Sequence, residues 1–290
     1  MKITNKYNLP ETIVNALERP TYSKGGANLS ITEMIGSPRI SRLRAKHMDE
    51  IELDASDLVW SLFGTAVHGV LEHGKGDDHV VEERLHTTVD GWTISGAIDL
   101  QTTENGSIAI SDYKTCGVWA VMNEKKEWET QLNCYAFMVE HVKQVPVSRL
   151  EIVAIIRDWN RRESTYKENY PDAPIKTIPI TLWSYADRER FVRERIHAHA
   201  DAMFSEQTGG DLPECTSEEC WEKPTYYAVK KVGGVRAKSV FNNMEEAQRL
   251  LNEVGKGYEV EVREGERTRC ANFCQVSQFC SQYQTYLEGK

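Results

Sequence analysis

The sequence lacks any apolar run that approaches the ~18 residues needed to cross a membrane. Its N-terminal segment lacks the basic-then-apolar pattern of a signal peptide, and its C-terminal segment carries no lipidation motif. It also contains no G-x-x-x-x-G-K-[ST] phosphate loop, internal repeat or low-complexity segment. These absences argue against a membrane protein, a secreted protein and a P-loop motor, and they predict a cytoplasmic protein.

An excess of positive charge is also missing, because 35 basic residues stand against 44 acidic ones and the formal net charge is -9. A protein with this balance does not coat nucleic acid by bulk electrostatics. Local basic surfaces are still compatible with it. The clustered cations of residues 39–46 and 188–195 could follow a phosphate backbone, although each segment suits the solvated face of a helix at least as well.

The composition is that of an ordinary globular chain, with 40% hydrophobic and 27% charged residues in a length of 290. That length can bury a large core and allows one large domain or two smaller ones. Apolar periodicity predicts a mixed α/β order of elements. We expect helices at residues 10–17, 30–35, 58–73, 128–142 and 184–204, and strands at residues 80–89, 94–100, 108–112, 149–158 and 175–182.

The predicted strands at 94–100 and 108–112 alternate their apolar residues and are separated by a Glu-Asn-Gly turn, which predicts a β-hairpin. Asp99 lies in the first strand. Asp112 and Lys114 lie two residues apart at the end of the second, so they point to one face of it. A patch of two carboxylates and an ammonium suits a divalent cation, although acids and lysines near a hairpin are often only a solvated edge.

The predicted helix at 58–73 carries apolar residues at spacings of three and four, which is typical of a stripe that packs on a core. His68 lies beside this stripe, and Gly64 indicates close packing against another element. The apolar stripe is formed by Val59, Leu62, Phe63, Ala66, Val67 and Val70.

A second region follows Leu212 and Pro213. Two predicted strands flank Gly233-Gly234, a helix capped by Asn242 or Asn243 follows, and a last strand ends the unit, which gives a ββαβ order over about residues 226–263. Cysteines precede and follow this unit. It therefore has the character of an insertion within a cysteine cluster.

Four short motifs occur in a fixed order on the expected kinds of element. Together they resemble the RecB-type branch of the PD-(D/E)XK nucleases over roughly residues 60–140. The family presents a G-x-x-x-H helix, a strand that leads into an aspartate, an aspartate-x-lysine strand end and a Q-x-x-x-Y helix. In this sequence the four are Gly64 to His68, Gly96 to Asp99, Asp112 to Lys114, and Gln131 to Tyr135.

The resemblance implies that Asp99 and Asp112 bind catalytic Mg²⁺ or Mn²⁺, with His68 and the backbone carbonyl of Tyr113 as further ligands. Lys114 would position the attacking water or stabilise the transition state. Gln131 and Tyr135 would hold a nucleotide or order Lys114, although a helical tyrosine is often only part of a core. Glu82 and Glu83 could supply another carboxylate, but they more closely match a charged strand end.

The cysteines supply the second signal. Seven is an odd number, and clustered cysteines in a cytosolic chain favour a metal or redox site over disulfides. Cys270, Cys274 and Cys280 form a trio without a fourth close ligand, and no histidine follows His199. Three clustered thiolates with one distant thiolate are a common ligand set for a [4Fe-4S] cluster, and RecB-like nucleases with an iron-sulfur staple look similar.

The trio departs from that staple, because its first gap is longer than C-x-x-C. Cys215 is our predicted fourth ligand, since it follows a proline in an irregular segment. Cys220 could take its place. A structural Zn²⁺ is the alternative to the cluster, while Cys116 and Cys134 are expected to be ordinary core thiols.

The resemblance implies a restriction-endonuclease-like α/β fold, with a mixed central sheet flanked by helices, a ββαβ insertion and a four-cysteine metal staple. We expect a nuclease core with a helical N-terminal part at residues 1–212 and a cysteine region at 213–290. The implied function is a metal-dependent DNA exonuclease of recombination, repair or phage DNA processing, acting on ends or single strands, for which a single-strand annealing protein would be a partner. Alternatives are a structure-specific endonuclease, a non-catalytic DNA-binding or scaffold protein, and a metal-dependent protein-interaction module.

Overall fold

A computed structural model describes residues 1–18, 23–123 and 125–289 of the chain. Eleven α-helices lie in these ranges. They are α1 Glu11–Glu18, α2 Ile31–Ile35, α3 Pro38–Lys46, α4 Ala55–Leu71, α5 Val118–Met122, α6 Lys126–Lys143, α7 Tyr185–Gln207, α8 Ser217–Cys220, α9 Met244–Val254, α10 Thr268–Asn272 and α11 Ser281–Glu288. Single 3₁₀ turns occur at Glu72–Gly74, Glu163–Thr165 and Ser277–Phe279.

Thirteen strands lie in the same ranges. They are β1 Lys2–Thr4, β2 Leu29–Ser30, β3 Glu52–Asp54, β4 His79–Val89, β5 Trp92–Glu104, β6 Ser107–Cys116, β7 Val147–Ile156, β8 Ile175–Ile180, β9 Glu222–Lys223, β10 Tyr226–Lys231, β11 Ala237–Phe241, β12 Tyr258–Arg263 and β13 Glu266–Arg267.

A six-stranded mixed sheet forms the centre of the protein. Five of its strands follow the order β2-β5-β6-β7-β8, and β4 also pairs with β5. The β5–β6 hairpin and the β7–β8 pair are antiparallel, whereas β6 and β7 run parallel and are joined through α5 and α6. The parallel pair needs such a long crossover, because a tight turn can join only antiparallel neighbours. The predicted mixed α/β architecture is confirmed.

The strands of the hairpin are longer than their sequence pattern predicts. Asp112 and Lys114 therefore lie inside β6 rather than at its end. Pairing with β7 continues as far as Cys116, whereas pairing with β5 ends at Ser111. The second strand is extended by its parallel neighbour, which alternation within the hairpin alone does not reveal.

Helix α6 is the most deeply enclosed helix segment next to the sheet. Nine consecutive residues from Gln131 to Val139 are buried, because α6 packs against β7 on one side and against α2 and α7 on others. Full burial of a side chain such as Phe137 or Leu132 contributes roughly 1.5–3 kcal/mol. The helix that carries Gln131 and Tyr135 is thereby held rigidly in the core.

Glycine at position 96 makes room for one of these side chains. A Cβ atom at Gly96 would lie 2.8 Å from Cε1 of Tyr135 and 3.1 Å from Cγ1 of Ile31. The first contact is closer than packed atoms tolerate and the second is tighter than most, and both partners belong to the core. The small residue in the G-A-I-D segment of β5 therefore has a packing reason.

Several local predictions are confirmed. Ser30 and Glu33 form a capping box at the start of α2, and Asn243 caps α9, which ends before Gly255. Strands β10, β11 and β12 form an antiparallel sheet in the order β11-β10-β12, which gives the expected ββαβ unit. Only Gly233 of its predicted two-glycine turn has a positive φ, at 73°.

The basic segments are only partly open to solvent: Arg44, Lys46, Arg190 and Arg193 are exposed, whereas other cations are engaged. In the first, the guanidinium of Arg39 is buried and Arg42 pairs with Glu206. In the second, Arg188 pairs with Glu140, and Arg195 donates to the backbone of Met34 and Gly36. These arginines contact groups distant in sequence, so the predicted solvated helix faces and phosphate tracks are wrong for them.

A small second hydrophobic core joins a segment near the N-terminus to one near the C-terminus. Leu43 and Ile51 from the N-terminal part pack with Val276 and Cys280 from the C-terminal part. The ring of His47 stacks on Phe279 with centroids 4.1 Å apart. Helix α3 is thus fastened to the segment that carries the cysteine trio.

Candidate active site

The candidate site lies where the central sheet divides. Strands β5 and β6 are paired from their turn to Leu100 and Ser111 and then separate. At this fork, Oδ2 of Asp99 accepts a hydrogen bond from the backbone N–H of Tyr113 at 2.8 Å. The Asp99 carboxylate thus bonds the Tyr113 N–H, which lies beyond the paired part of β5 and β6. Asp99 also lies beside Asp112.

A second carboxylate reaches the fork from β4. Glu82 lies between residues 81 and 83, which pair with Leu100 and Ile98, so it faces Asp99 across the two strands. Its φ of 49° is in the left-handed region, which is uncommon for a residue with a side chain and is enriched at functional sites. Nδ1 of His68 lies 3.2 Å from Oε1 of Glu82 and 3.5 Å from Oδ1 of Asp99.

His68 is presented by α4, the helix that crosses next to β6. Gly64, one turn earlier, packs on β6, since a Cβ atom there would lie 3.4 Å from Oγ1 of Thr115, an ordinary van der Waals contact. The second ring nitrogen, Nε2, lies 3.2 Å from the carbonyl oxygen of Tyr113. One imidazole therefore connects the two carboxylates to the backbone of β6.

A polar network from α6 closes the other side of the site. Nζ of Lys114 lies 2.6 Å from Oδ2 of Asp112 and donates to Oε1 of Gln131 at 3.2 Å. The amide nitrogen of Gln131 donates to the hydroxyl of Tyr135 at 2.8 Å and reaches Oδ1 of Asp112 at 3.5 Å. Gln131 therefore positions both the lysine and the aspartate.

The electrostatics of the site are those of crowded charges. Hydrogen bonding to Asp99, and then to Glu82, raises the pKa of His68 to about 10, so without a metal the imidazole is protonated at neutral pH. Burial raises the pKa of Asp112 to about 6, and Lys114 opposes that shift. The carboxyl of Asp112 is only 2% exposed.

The structure brings together all of the side chains that the motifs single out. Asp99, Asp112, Lys114 and His68 surround the fork, and Gln131 and Tyr135 support it from α6. The Tyr113 carbonyl faces His68. Together, one nitrogen of His68 and one oxygen each from Glu82 and Asp99 lie within 4.8 Å of one another, a spacing that can hold a metal ion.

Glu82 is the residue that sequence reasoning placed elsewhere. It lies inside β4 rather than at a charged strand end, and its neighbour Glu83 points to a different network, with Lys143 and Gln101. The register of β4 against β5 decides which of the two neighbouring glutamates lies opposite Asp99, and it selects Glu82.

The apolar stripe expected on α4 is only partly covered, because Val59, Leu62 and Val67 are half-buried. Only Ala55 of this helix is buried, and Phe63 and Val70 are exposed. Trp60 is 60% exposed, with the guanidinium of Arg157 4.1 Å from its ring centroid. Helix α4 therefore presents aromatic surface beside the fork.

A second exposed aromatic residue follows β6 in the chain. Trp119 of α5, only five residues after Lys114, is 62% exposed, and Nζ of Lys125 lies 4.6 Å from its ring centroid. Such a pair combines an exposed apolar ring with a positive charge. Two such tryptophans lie near the end of β6.

Away from the fork, the cysteines of the C-terminal region gather around one cavity. Its lining includes the trio and Cys215, together with Ile40 and Leu43 of α3. Burial raises the pKa of Cys215 to about 11 and that of Cys220 to about 12, so these thiols are protonated when no metal is bound. Cys116 and Cys134 are buried within the main core, as expected.

Cys215 is fixed to the C-terminal segment by one side chain. Gln282, two residues after Cys280, accepts from the Cys215 N–H and donates to the Cys215 carbonyl, both at 2.9 Å. Cys220 is also buried, with its sulfur 4.0 Å from the same carbonyl and within hydrogen-bonding reach of Cys270. This clamp holds Cys215 at the cavity that the trio lines.

A family model described as the PD-(D/E)XK nuclease superfamily matches residues 77–281 of the chain. This chain belongs to the PD-(D/E)XK nuclease superfamily. The match covers most of the chain and includes Asp99, Asp112 and Lys114, whereas His68 precedes it and joins the site through the geometry of α4. The restriction-endonuclease-like fold expected from the motifs is thereby confirmed.

Solved structures give two distant similarities to this nuclease-family chain. The crystal structure of SSO0001 is 16% identical, with a TM-score of 0.42 over 64% of this chain and 81% of that one. A provisionally named exonuclease from Eubacterium rectale is 14% identical, with a TM-score of 0.29 over 61% of this chain and 65% of that one. Both are too distant to bear on activity. A search of curated proteins found no match.

Membership of this family has two direct implications. PD-(D/E)XK nucleases use divalent metals, and the group formed by His68, Glu82 and Asp99 offers the ligands that such an ion takes. The family also implies DNA as the substrate. Within the described ranges, none of the helices combines the length and the apolar character required to cross a membrane.

Proposed function

We propose that this chain is a metal-dependent deoxyribonuclease of RecB type that hydrolyses DNA from an end. The observation that carries the proposal is the convergence of Asp99, Asp112 and Lys114 at the fork, with His68 approaching from α4 and Gln131 from α6. Carboxylates, an imidazole and an ammonium at one point match the requirements of phosphodiester cleavage.

The donor set fits a hard divalent cation. The three ligand atoms within 4.8 Å of one another are two carboxylate oxygens and one imidazole nitrogen. We assign His68, Glu82, Asp99, Asp112 and the carbonyl of Tyr113 as the groups that would hold Mg²⁺ or Mn²⁺, and the imidazole favours Mn²⁺. When bound, the cation makes a water nucleophilic at neutral pH and offsets charge on the phosphoryl oxygens.

Lys114 carries the remaining electrostatic role. Its ammonium is held by Asp112 and Gln131, so it is oriented before substrate arrives and needs little reorganisation in the transition state. We assign it to stabilise the negative charge that builds on the scissile phosphate and to position the attacking water. Gln131 and Tyr135 act through Lys114 and Asp112 as positioning residues.

The aromatic surfaces beside the fork support a single-stranded segment as the bound form of the DNA. Trp60 and Phe63 lie on the helix of His68, and Trp119 lies just beyond the strand of Lys114. Unpaired bases stack on exposed aromatic rings without sequence preference, and Arg157 adds positive charge at Trp60 for the phosphates. A duplex offers free base faces only at its ends.

We further propose that Cys215, Cys270, Cys274 and Cys280 bind a [4Fe-4S] cluster, with a structural Zn²⁺ as the alternative. The support is their common position around one cavity and the clamp of Gln282 on Cys215. Binding must displace thiol protons. The group, when bound, would staple the C-terminal segment to α3 without taking part in hydrolysis.

We propose a nuclease core at residues 1–212 and a cysteine region at 213–290 that encloses the ββαβ unit of about 226–263. In that unit, Lys230 pairs with Glu259 and Glu261, so its charge serves the fold. The proposed setting is cytoplasmic recombination, repair or phage DNA processing, with a single-strand annealing protein as partner. This setting rests on the motif resemblance alone.

The test is a digestion series with Mg²⁺ or Mn²⁺ on linear single strands, blunt duplexes and circles, with each end blocked in turn. We expect linear DNA to shorten from one end and circles to resist. Purified Asp112→Asn protein should be inactive, and equal activity in that variant would mean a contaminating nuclease. Cleavage of circles would identify an endonuclease, whereas binding without cleavage in both metals would identify a scaffold.

The cluster has a separate test. Protein purified without oxygen should be brown and carry about four irons per chain. A colourless protein with one zinc per chain would overturn the iron-sulfur assignment and leave the nuclease assignment untouched.

A further inference from the structure

Two side chains at the start of α3 contact the sulfur atoms of the cysteine cavity. Nε of Arg39 donates to Sγ of Cys280 at 3.2 Å. Oγ of Ser37 lies 3.1 Å from Sγ of Cys215. The contacts join positions 241 and 178 residues apart in sequence. Each reaches a different one of the four proposed ligands, from the same turn of one helix.

Arg39 is a buried cation that is not paired with a carboxylate. Its side chain is 5% exposed, and within the described ranges none of the ion pairs includes it. Its Nη1 donates to the carbonyl of Leu212 at 2.7 Å, and its Nη2 donates to Oγ of Ser281 at 2.6 Å. Both acceptors are neutral, so the sulfur of Cys280 is the acceptor beside it that can carry negative charge.

The other comparably buried arginine behaves differently. Arg188 is 4% exposed, and its guanidinium pairs with Glu140 at 2.9 Å. Burying a charge without an anionic partner costs several kcal/mol. A thiolate at Cys280 removes that cost for Arg39, whereas a neutral thiol does not.

Ser37 is arranged as a donor to its sulfur. Its Oγ caps α3 by accepting the N–H of Ile40, which leaves the hydroxyl proton free to point to Cys215. The N-terminus of α3 also carries a partial positive charge that favours an anion there. Both side chains are therefore placed to donate to these sulfurs once a metal has displaced the thiol protons.

We propose that Arg39 and Ser37 are positioning residues of the thiolate-bound metal centre, which donate hydrogen bonds to two of its sulfur ligands and supply its buried countercharge. The inference rests on the metal centre proposed above. Hydrogen bonds to the sulfurs and nearby positive charge stabilise the more negative, reduced form of an iron-sulfur cluster. Arg39 and Ser37 therefore hold the reduction potential above the value that the four cysteines alone would set.

The experiment compares the anaerobically prepared full chain with Arg39→Gln, Arg39→Lys and Ser37→Ala. Dithionite supplies one electron per cluster, and the midpoint potential is read by electron paramagnetic resonance. We expect Arg39→Gln to shift the reduction equilibrium at least tenfold toward the oxidised form, which is about 59 mV for one electron. Arg39→Lys, which keeps the charge, should shift it less, and Ser37→Ala should shift it in the same direction.

Arg188→Lys is the matched control, because it alters a buried arginine remote from the sulfurs and should leave the potential unchanged. Wild-type potentials in both Arg39→Gln and Ser37→Ala would overturn the proposal, even if those variants were less stable. Should Arg39→Gln fail to fold, Ser37→Ala decides the question.

A wild-type protein that holds zinc instead of iron would overturn the cluster but still test these residues. The readout is then the rate of zinc release to EDTA. We expect release to be at least tenfold faster in Arg39→Gln than in the wild type and Arg188→Lys. Equal release rates would overturn the proposed role of Arg39, and an unchanged rate in Ser37→Ala would overturn that of Ser37.

Discussion

Protons and metal ions compete for His68, and this competition can be measured. The two carboxylates beside its ring raise the pKa of His68 to about 10, so at pH 7 the metal-free site holds an imidazolium. A metal ion needs the neutral ring. Removing the proton three pH units below its pKa costs about 4 kcal/mol, which lowers the apparent affinity about 10³-fold.

The expected result is a pH-dependent affinity for Mn²⁺. Between pH 7 and 8.5 the association constant should rise about tenfold per pH unit, with about one proton released per ion. Isothermal titration calorimetry in two buffers of different ionisation enthalpy measures both quantities. Asp112 does not add to this slope, because its raised pKa of about 6 leaves it ionised above pH 7.

Variants separate the ring from the carboxylates. His68→Gln should bind Mn²⁺ more weakly at high pH and lose the slope. Glu82→Gln should weaken binding, whereas Glu83→Gln is the matched control, since that carboxylate bonds Lys143 and Gln101. A flat wild-type affinity over this range, or an unchanged slope in His68→Gln, would refute the reasoning.

The same contact contributes to the stability of the metal-free protein with a defined sign. A raised pKa means that the folded state binds the proton more tightly than the unfolded state. The contribution of His68 should therefore be fully present below pH 6.5 and be lost as the pH rises through about 10. Urea unfolding in EDTA should show a larger loss of stability over this range in the wild type than in His68→Gln.

Three further predictions concern other parts of the molecule. Lys114→Met should lower the single-turnover rate at least 10²-fold while Mn²⁺ binding persists, because an oriented charge is worth roughly 2.7–4 kcal/mol in a transition state. Trp60→Ala and Trp119→Ala should each weaken binding of a single-stranded oligonucleotide in Ca²⁺ by roughly 1–3 kcal/mol, measured by anisotropy, with Trp221→Ala as the control. Phe137→Ala should lower the free energy of unfolding by roughly 3–5 kcal/mol, measured in urea.

Each of these has a contrary outcome. Lys114→Met with an unchanged rate would remove the lysine from the chemistry. Equal affinities in the three tryptophan variants would remove the stacking surface, and a loss below about 1 kcal/mol in Phe137→Ala would contradict the tight packing around α6.

Local rules were sufficient where neighbours in sequence decide the structure. The capping box of Ser30 and the cap at Asn243 follow from side chains that bond the backbone three residues away. The hairpin follows from alternation and a glycine turn. The positions of Asp99 and Asp112 on one patch follow from the same pattern, while their catalytic roles stay a prediction.

Patterns within a short stretch of sequence failed to predict the structure where contacts between distant residues decide it. Glu82 enters the site through the register of β4 against β5 and a left-handed backbone, and neither has a signature in a run of charged residues. Arg39 is read as a surface charge until Cys280 is known to lie against it. The α4 stripe is apolar in pattern, yet Phe63 faces outward beside the fork.

The contacts between α3 and the C-terminal cysteines also affect the order in which the protein folds during synthesis. Arg39 meets Cys280 across 241 residues, so the contact cannot form until almost the whole chain has left the ribosome. The central sheet is complete at β8, well before that moment. Translation therefore produces the strands of the sheet before the segment that bonds Arg39, and this arginine becomes enclosed only when Leu212, Cys280 and Ser281 reach it.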